Sequence, residues 1–480
     1  MDRMNPLDAA FLYLENGTTH LHIACCALFA GPPPDFGALV RLFASKLPLV
    51  PRYRQRVRFV PMDLGRPVWV DDPAFDLDSH VRHVALPPPG DEVQLRRLMG
   101  RLMAQELDRT MPLWEAWMVE GLGDDRWAII SKVHHCMVDG VAGVDLISLV
   151  LDPTPEPSEA APDDWHPEPE PSSLRLAADA VANLIGSPRE QLRAVQAAAR
   201  APGRTLASAR TIVAGLRSYA SALRSTPPTS LDGSIGAHRR WTFARASLED
   251  IRVIRHVLGG TVNDVVLAAI TSGFRDLAVA RGEDPSTLAL RTLVPVSTRA
   301  EADHGLTDNR VSAILFDLPV QLDDPLDRLA AVRAEMGRLK ASHEAEAGGA
   351  LTAFVGAIPP ALTAASLRLA SRALARVQQR SVNTVTTNVP GPPLPLYAAG
   401  REMIEYLPFV PLAPGVRIGV AILSYNGRVA FGITGDFDTS SDVDVDVVGR
   451  GIEAEISRLL ALAAEPAVVV EPPQELSVGM

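Results

Sequence analysis

The apolar positions of this chain recur with both helical and extended spacing. Between 95 and 107 they lie three or four residues apart with arginines between them, which predicts an amphipathic helix. The apolar run 127–133 predicts a buried strand, and 141–151 predicts a helix after it. A chain that mixes the two spacings in this way is typical of an α/β fold.

The second half of the chain has the same mixture of periods. Helices are predicted at 247–257 and 262–281, and strands at 290–295 and 311–318. Asn426-Gly427 separates two apolar runs near the end of the chain. Because both residues tolerate a positive φ, this pair predicts a hairpin with a type I′ turn.

A linker separates the two halves. In 151–171 prolines alternate with acidic residues, which predicts an exposed, extended segment. A helical stretch rich in alanine, leucine and arginine follows at 172–224. We therefore predict an N-terminal domain at 1–150, an acidic linker and basic helical bridge at 151–230, a C-terminal domain at 231–465 and a flexible tail at 466–480.

Composition narrows the class of protein. Of 480 residues, 47% are hydrophobic and 21% charged, as in globular proteins. The net charge of -11 argues against nucleic-acid binding. We expect no signal peptide and no spanning helix, since no run of about 18 apolar residues occurs. Cys25, Cys26 and Cys136 form no disulfide framework, which indicates a reducing cytoplasm.

Two histidines follow the predicted strand 127–133 directly. His134 and His135 precede Asp139 and Gly140, and a side chain at a strand end can face a cleft in a fixed orientation. Imidazole, with an ordinary pKa of about 6.5, suits proton transfer at neutral pH. The alternative is that both rings only satisfy buried polar groups.

A metal site is not expected at these histidines. Adjacent strand residues point to opposite faces of a sheet, so His134 and His135 would not bind one ion together. The chain has no HExxH motif and no cysteine cluster.

The run His134–Gly140 is HHxxxDG, which resembles the signature of the coenzyme A-dependent acyltransferase superfamily. That superfamily also contains chloramphenicol acetyltransferase and the condensation domains of peptide synthetases. Further blocks, in the same order, are similar to the bacterial wax ester synthase/acyl-CoA:diacylglycerol acyltransferase family. They lie at 5–12, 112–114, 263–268, 293–299, 308–312 and 387–392. In detail the chain is similar to the actinobacterial triacylglycerol synthases.

The resemblance implies an α/β fold of two chloramphenicol acetyltransferase-like domains with mixed sheets, joined by a long crossover connection. A tunnel between them would receive acyl-CoA from one side and the alcohol from the other. His135 would be the general base for direct transfer of the acyl group to diacylglycerol. Acyl-CoA is then a substrate, and no cofactor is needed.

The resemblance also assigns the neighbouring residues. Asp139 would hold the turn by pairing with an arginine, for which Arg299 is the candidate, and His134 would support the loop. Asn263 and Asn309 would orient the alcohol or donate to the oxyanion. Alternatively, both asparagines only satisfy nearby backbone groups.

Other functions stay open at this point. Wax ester synthesis from a long-chain alcohol is an alternative within the enzyme class, and a non-catalytic module that binds acyl groups or carrier proteins is an alternative outside it. The arginine-rich stretch 172–224 could lie on anionic lipid or could be a connector packed between domains. We expect a cytoplasmic protein peripherally associated with the inner membrane or lipid droplets.

Overall fold

A computed structural model of the protein describes residues 2–138, 150–160, 162–186, 226–297, 311–341, 360–374 and 380–464. The helices in these ranges are α1 (Pro6–Leu14), α2 (Phe36–Lys46), α3 (Glu92–Met103), α4 (Ser173–Gly186), α5 (Leu248–Leu258), α6 (Val262–Ala280), α7 (Pro325–Ala341), α8 (Pro360–Leu374) and α9 (Asp442–Ala464). The strands are β1 (Asp2–Arg3), β2 (His22–Ala30), β3 (Gln55–Arg58), β4 (Val68–Asp71), β5 (Val81–Ala85), β6 (Trp114–Leu122), β7 (Arg126–His134), β8 (Arg239–Ser247), β9 (Leu290–Ser297), β10 (Val311–Leu318), β11 (Thr384–Pro390), β12 (Tyr397–Ala398), β13 (Arg401–Phe409), β14 (Ile418–Tyr425) and β15 (Arg428–Asp436).

Two six-stranded sheets form the frame of the described fold. The N-terminal sheet has the order β12-β13-β2-β7-β6-β5, and the C-terminal sheet has the order β10-β9-β11-β14-β15-β8. Both are mixed, because β5 runs parallel to β6, and β11 runs parallel to β9 and β14. A smaller sheet joins β1, β4 and β3. This mixed α/β architecture confirms the predicted fold class.

Most of the elements predicted from periodicity lie within a few residues of their observed bounds. The strand predicted at 127–133 is β7, and the helices predicted at 247–257 and 262–281 are α5 and α6. Asn426 and Gly427 have φ values of 43° and 77°, as a type I′ turn requires. The helix predicted at 141–151 and the tail at 466–480 lie outside the described residues, except for the end of that helix.

One segment of the C-terminal half belongs to the N-terminal sheet. β13 pairs antiparallel with β2, with Met403 opposite Phe29 and Phe409 opposite Ala24. Residues 397–409 lie within the C-terminal domain predicted at 231–465, yet their strands belong to the N-terminal sheet. A strand pairing with residues so far away in the chain leaves no local signal. The two halves therefore share a sheet.

The halves are also held together by a common hydrophobic cluster. It combines Leu28 and Leu98 from the N-terminal half with Phe243 from β8. In the same region the indole N–H of Trp241 donates to the Pro408 carbonyl at 3.0 Å. A Cβ on Gly432 would lie 1.7 Å from that carbonyl oxygen, so glycine is required where β15 meets β13.

The acidic linker is fastened to the N-terminal half by ion pairs. Arg54 contacts Asp163 at 2.6 Å, and Arg56 contacts Glu170 at 2.7 Å. Lys46 pairs with the buried Asp152 at 2.6 Å. We predicted an exposed, extended linker at 151–171. Most of 153–170 is exposed, and some of its acidic residues form ion pairs with arginines of the domain surface.

In the described part of the chain, no single helix is both long and apolar enough to span a bilayer. α5 and α6 reach the length and apolar character of a spanning segment only when they are taken together, and they are bent by 102° relative to each other. Both contribute buried residues to the core of the C-terminal half.

Candidate active site

Strand β7 places the two histidines. His134 lies opposite His22 on β2, and its N–H donates to the Leu113 carbonyl at 2.9 Å. The N–H of His135 donates to the Leu21 carbonyl at 2.9 Å. The strand then ends in a 3-10 turn, His135–Met137. Because both backbone positions are held from neighbouring segments, the two imidazoles have fixed and different surroundings.

Helix α1 brings Phe11 and Glu15 to the same end of the sheet. Asn5 caps this helix, because its side chain accepts from the Asp8 N–H at 2.8 Å and donates to the Asp8 carboxylate at 2.6 Å. Pro6 occupies the first turn, where the missing N–H is harmless. The sequence block at 5–12 is thus a helix start that fixes the helix bearing Phe11.

The His134 side chain is buried and contacts the backbone of the turn that follows it. Its Nδ1 accepts from the Cys136 N–H at 3.1 Å, so the ring proton sits on Nε2. Nε2 lies 3.5 Å from Glu15 Oε2. The supporting role that the resemblance implies for His134 stays a prediction.

Glu15 is the centre of a buried polar cluster that the sequence did not reveal. Its carboxylate accepts from the Leu21 N–H at 3.2 Å and lies 3.2 Å from His22 Nε2 and 2.5 Å from Arg109. Burial alone would raise the pKa of Glu15, but hydrogen bonds from His134 and His22 hold it well below its usual range. Burial lowers the pKa of His22 to about 3, against the opposing effect of Glu15.

The signal for this cluster was weak in the sequence. Glu15 follows the recognised block at 5–12 closely, but its partners His22 and Arg109 come from β2 and from the loop after α3. Only the fold brings them together.

The His135 side chain is partly buried and keeps some exposure to solvent. Its ring stacks on Phe11, with centroids 4.1 Å apart and planes inclined by 36°. Burial lowers the pKa of His135 to about 4, and the neighbouring His134 adds to the shift. The side chain keeps partial solvent exposure. Its Nδ1 atom is buried and has no hydrogen-bond partner among the described residues.

Cys136 and Trp114 are buried beside the end of β7, where the histidines lie. Burial raises the pKa of the Cys136 thiol well above its ordinary value, which disfavours the nucleophilic thiolate. Trp114 is fully buried, donates to the Tyr53 carbonyl at 2.8 Å and stacks on His80 at 4.6 Å.

Asn263 is the predicted site asparagine that the structure describes. It lies in the first turn of α6, which is capped reciprocally by Thr261 and Asp264. Asn388 Nδ2 approaches Asn263 Oδ1 at 3.4 Å. Within the described residues, Asn263 makes no hydrogen bond or ion pair with His134 or His135. Asp139, Arg299 and Asn309 lie outside the described residues.

The histidine turn lies where the two halves meet. Met137 belongs to the same hydrophobic cluster as Leu423 and Tyr425 from β14, and Val389 of β11 packs against that cluster. A cavity of about 620 Å³ opens between β13 and the β14–β15 hairpin and is bordered by Tyr406 and Tyr425. Neither histidine nor Asn263 lines it. Across the described ranges, no group of three or more His, Cys, Asp and Glu side chains is arranged to hold a metal.

Sequence comparison relates this chain to a known family. The profile of the wax ester synthase/diacylglycerol acyltransferase catalytic domain matches residues 4–266, and that of the WS/DGAT C-terminal domain matches residues 307–455. The Mycobacterium tuberculosis protein named "Probable diacyglycerol O-acyltransferase tgs1" is 40% identical over 465 residues, which cover 96% of either chain.

Solved structures agree with these matches. The wax ester synthase/diacylglycerol acyltransferase of Marinobacter aquaeolei VT8 superposes with a TM-score of 0.65 at 25% identity, covering 96% of this chain and 100% of that one. The first condensation domain of the calcium-dependent antibiotic synthetase gives a TM-score of 0.57 at 16% identity, covering 97% of each chain, and bears on the fold alone. The fold that the resemblance implied is confirmed, and the chain belongs to the wax ester synthase/diacylglycerol acyltransferase family.

Proposed function

We propose that this protein is an O-acyltransferase that moves a long-chain acyl group from acyl-CoA to diacylglycerol and forms triacylglycerol. The observation that carries the proposal is His135, a deep but accessible imidazole at the meeting point of the two halves. Its family membership and the 40% identity to a protein named as a diacylglycerol O-acyltransferase support the choice of substrates.

His135 acts as the general base in this proposal. Since its pKa is lowered to about 4, the ring is neutral at pH 7, which is the form that accepts a proton. Nδ1 is buried, so Nε2 is the nitrogen that a substrate hydroxyl can reach. The oxygen attacks the thioester carbonyl as its proton passes to Nε2. The tetrahedral intermediate then expels the coenzyme A thiolate, which takes the proton from Nε2 and leaves as the thiol.

The remaining motif residues have supporting roles. We propose that Asp139 and Arg299 form an ion pair that holds the turn after His135. Asn263 and Asn309 are proposed to orient the acceptor or to donate to the oxyanion. The contact between Asn388 and Asn263 supports a fixed orientation for the Asn263 amide.

We also place the protein at the surface of the inner membrane or of lipid droplets, where such an acceptor resides. The stretch 172–224 has eight arginines against two acids, and basic residues are attracted to anionic lipid. α4 is the part of that stretch that the structure describes.

A substrate panel tests the assignment. Purified protein is given labelled palmitoyl-CoA with dioctanoylglycerol, hexadecanol or hexadecylamine in parallel, and the products are separated. We expect triacylglycerol to dominate. Wax ester as the main product would support the alternative suggested by the Marinobacter relative's name. No transfer to any acceptor, together with measurable palmitoyl-CoA binding, would favour a non-catalytic acyl-binding module.

The pH profile tests the state of His135. A base with a pKa of about 4 stays neutral from pH 8 to about 5, so kcat/KM should be level over that range. It should fall only near pH 4, as the ring takes up a proton. Circular dichroism at each pH separates this effect from unfolding. Half-loss of kcat/KM at pH 6 to 7 in folded protein would contradict a buried base.

A further inference from the structure

Glu15 lies at the point where helix α1 ends. It is the C-cap residue of that helix, and its N–H donates to the Phe11 carbonyl at 3.1 Å. The Phe11 ring in turn packs on His135. The Glu15 side chain is buried, with 6% of its surface exposed. Because a buried carboxylate is costly unless donors surround it, the partners of Glu15 indicate what it holds in place.

One oxygen of this carboxylate is linked to the backbone of His135. Oε1 accepts from the Leu21 N–H at 3.2 Å, and the Leu21 carbonyl accepts from the His135 N–H at 2.9 Å. The same oxygen lies 3.2 Å from His22 Nε2. Leu21 therefore connects the carboxylate to the candidate base, with both its N–H and its carbonyl engaged.

The other oxygen is linked to the backbone of the residue after the base. Oε2 lies 3.5 Å from His134 Nε2, and Nδ1 of that ring accepts from the Cys136 N–H at 3.1 Å. A neutral imidazole accepts at one nitrogen only, so it accepts from Cys136 only while its proton is on Nε2. A carboxylate accepts and cannot donate, which favours this tautomer of His134.

The surroundings of Glu15 keep it an acceptor. Burial would raise its pKa, but contacts with His134 and His22 hold the pKa of Glu15 well below its usual range. The Arg109 guanidinium lies 2.5 Å from Oε2 and also donates to the Leu12 carbonyl of α1 at 3.4 Å. The carboxylate is therefore ionised and fixed relative to the end of α1.

We propose that Glu15 is a positioning residue for His135, holding the backbone of the base through Leu21 and the turn after it through His134. This inference rests on the proposed function, in which His135 removes the proton of the acceptor hydroxyl. A displacement of about 1 Å in a reacting group can cost about 100-fold in rate. Since Glu15 acts through its neighbours, its loss should affect the chemical step and leave substrate binding unchanged.

Glu15→Gln tests the link through His134. The amide keeps the size of the carboxylate and can still accept from the Leu21 N–H, but its NH2 group then faces the Nε2–H of His134. The ring either loses its partner or moves its proton to Nδ1, and Nδ1 then no longer accepts from Cys136. With palmitoyl-CoA and dioctanoylglycerol we expect kcat to fall about 10- to 100-fold, and each KM to stay within about twofold of wild type.

Glu115→Gln is the matched control. Glu115 is a carboxylate on β6 with 12% of its side chain exposed, and it contacts Arg82 of β5 at 3.4 Å and the Trp117 indole N–H at 3.0 Å. Because these partners lie on β5 and β6, kcat of this variant should stay within about twofold of wild type. A loss of kcat in Glu15→Gln no larger than in Glu115→Gln would overturn the proposal.

A double-mutant cycle separates positioning from a general loss of structure. In His134→Asn the amide oxygen can accept from the Cys136 N–H without any choice of tautomer. If Glu15 acts through His134, adding Glu15→Gln to that variant should lower kcat by less than about threefold more. Losses that multiply in full would show independent effects and would contradict the proposal.

Nitrogen NMR of protein with isotope-labelled histidine measures the tautomer without an activity assay. The His134 signals, identified by their loss in His134→Asn, should show a ring protonated on Nε2 in the wild type and lose that pattern in Glu15→Gln. A wild-type ring protonated on Nδ1 would overturn the proposal even if Glu15→Gln does not fold, and so would an unchanged tautomer in folded Glu15→Gln. If the wild type transfers no acyl group, the proposed function fails, while these spectra still decide whether Glu15 sets the state of His134.

Discussion

Replacing His135 with alanine is expected to lower kcat/KM roughly 10²- to 10⁴-fold, the range for a positioned general base. The loss should appear with every acceptor that the wild-type protein uses, because proton removal from the hydroxyl is common to all of them. The ring packs on Phe11 but remains partly exposed, so the variant should fold. Steady-state kinetics with palmitoyl-CoA and dioctanoylglycerol make the measurement.

A second histidine provides the control for that experiment. His83 lies on β5, far along the sheet from the turn, and pairs with Glu120 on its neighbour β6. His83→Ala should keep kcat/KM close to wild type. Activity of His135→Ala within a few-fold of this control would remove His135 from the mechanism.

The largest expected effect on stability lies far from the site. Arg328 of α7 and Glu455 of α9 form an ion pair whose side chains are 1% and 0% exposed. Arg328 also donates to the Leu322 and Asp323 carbonyls, each at 2.9 Å. Arg328→Met leaves the buried carboxyl with only the exposed Arg458, 3.7 Å away, as a cationic partner among the described residues, so it should lower the free energy of unfolding by roughly 3–5 kcal/mol. Urea denaturation followed by circular dichroism measures the change.

Arg338→Met on the same helix is the matched control. Arg338 pairs with Glu335 at a position where its own side chain is 60% exposed, so its removal should change stability by less than about 1 kcal/mol. The double variant Arg328→Met/Glu455→Leu should recover much of the loss, because no uncompensated charge remains. A loss in Arg328→Met no larger than in Arg338→Met would mean that the buried pair is unimportant.

The pH dependence of that loss has a definite sign. Burial raises the pKa of Glu455 even beside Arg328. Without the arginine the carboxyl should take up a proton more readily in the folded chain than in the unfolded chain. The destabilisation of Arg328→Met should therefore shrink as the pH falls from 8 towards 5 and grow as it rises.

Elements governed by local signals could be predicted from the sequence. The α6 start follows from Thr261 and Asp264, which cap it reciprocally, and the hairpin follows from Asn426-Gly427. His134 and His135 were also located correctly at a strand end, because the apolar run of β7 stops there. In each case the information lies within a few residues of the feature.

The features that were missed depend on contacts between distant segments. The cluster of Glu15, His22 and Arg109 forms only when α1, β2 and the loop after α3 meet at the end of β7. The exchange of β13 into the N-terminal sheet likewise depends on pairing with β2. The spacing of apolar residues predicts that a segment is a strand, but it does not predict which strand lies beside it.

The shared sheet has a consequence for the order in which the protein is made. When the N-terminal half leaves the ribosome, the edge of β2 that receives β13 is still open, and residues 401–409 have yet to be translated. An open, apolar strand edge invites pairing with other chains. Ala24 to Phe29 therefore lack their β13 partner until most of the chain has been synthesised.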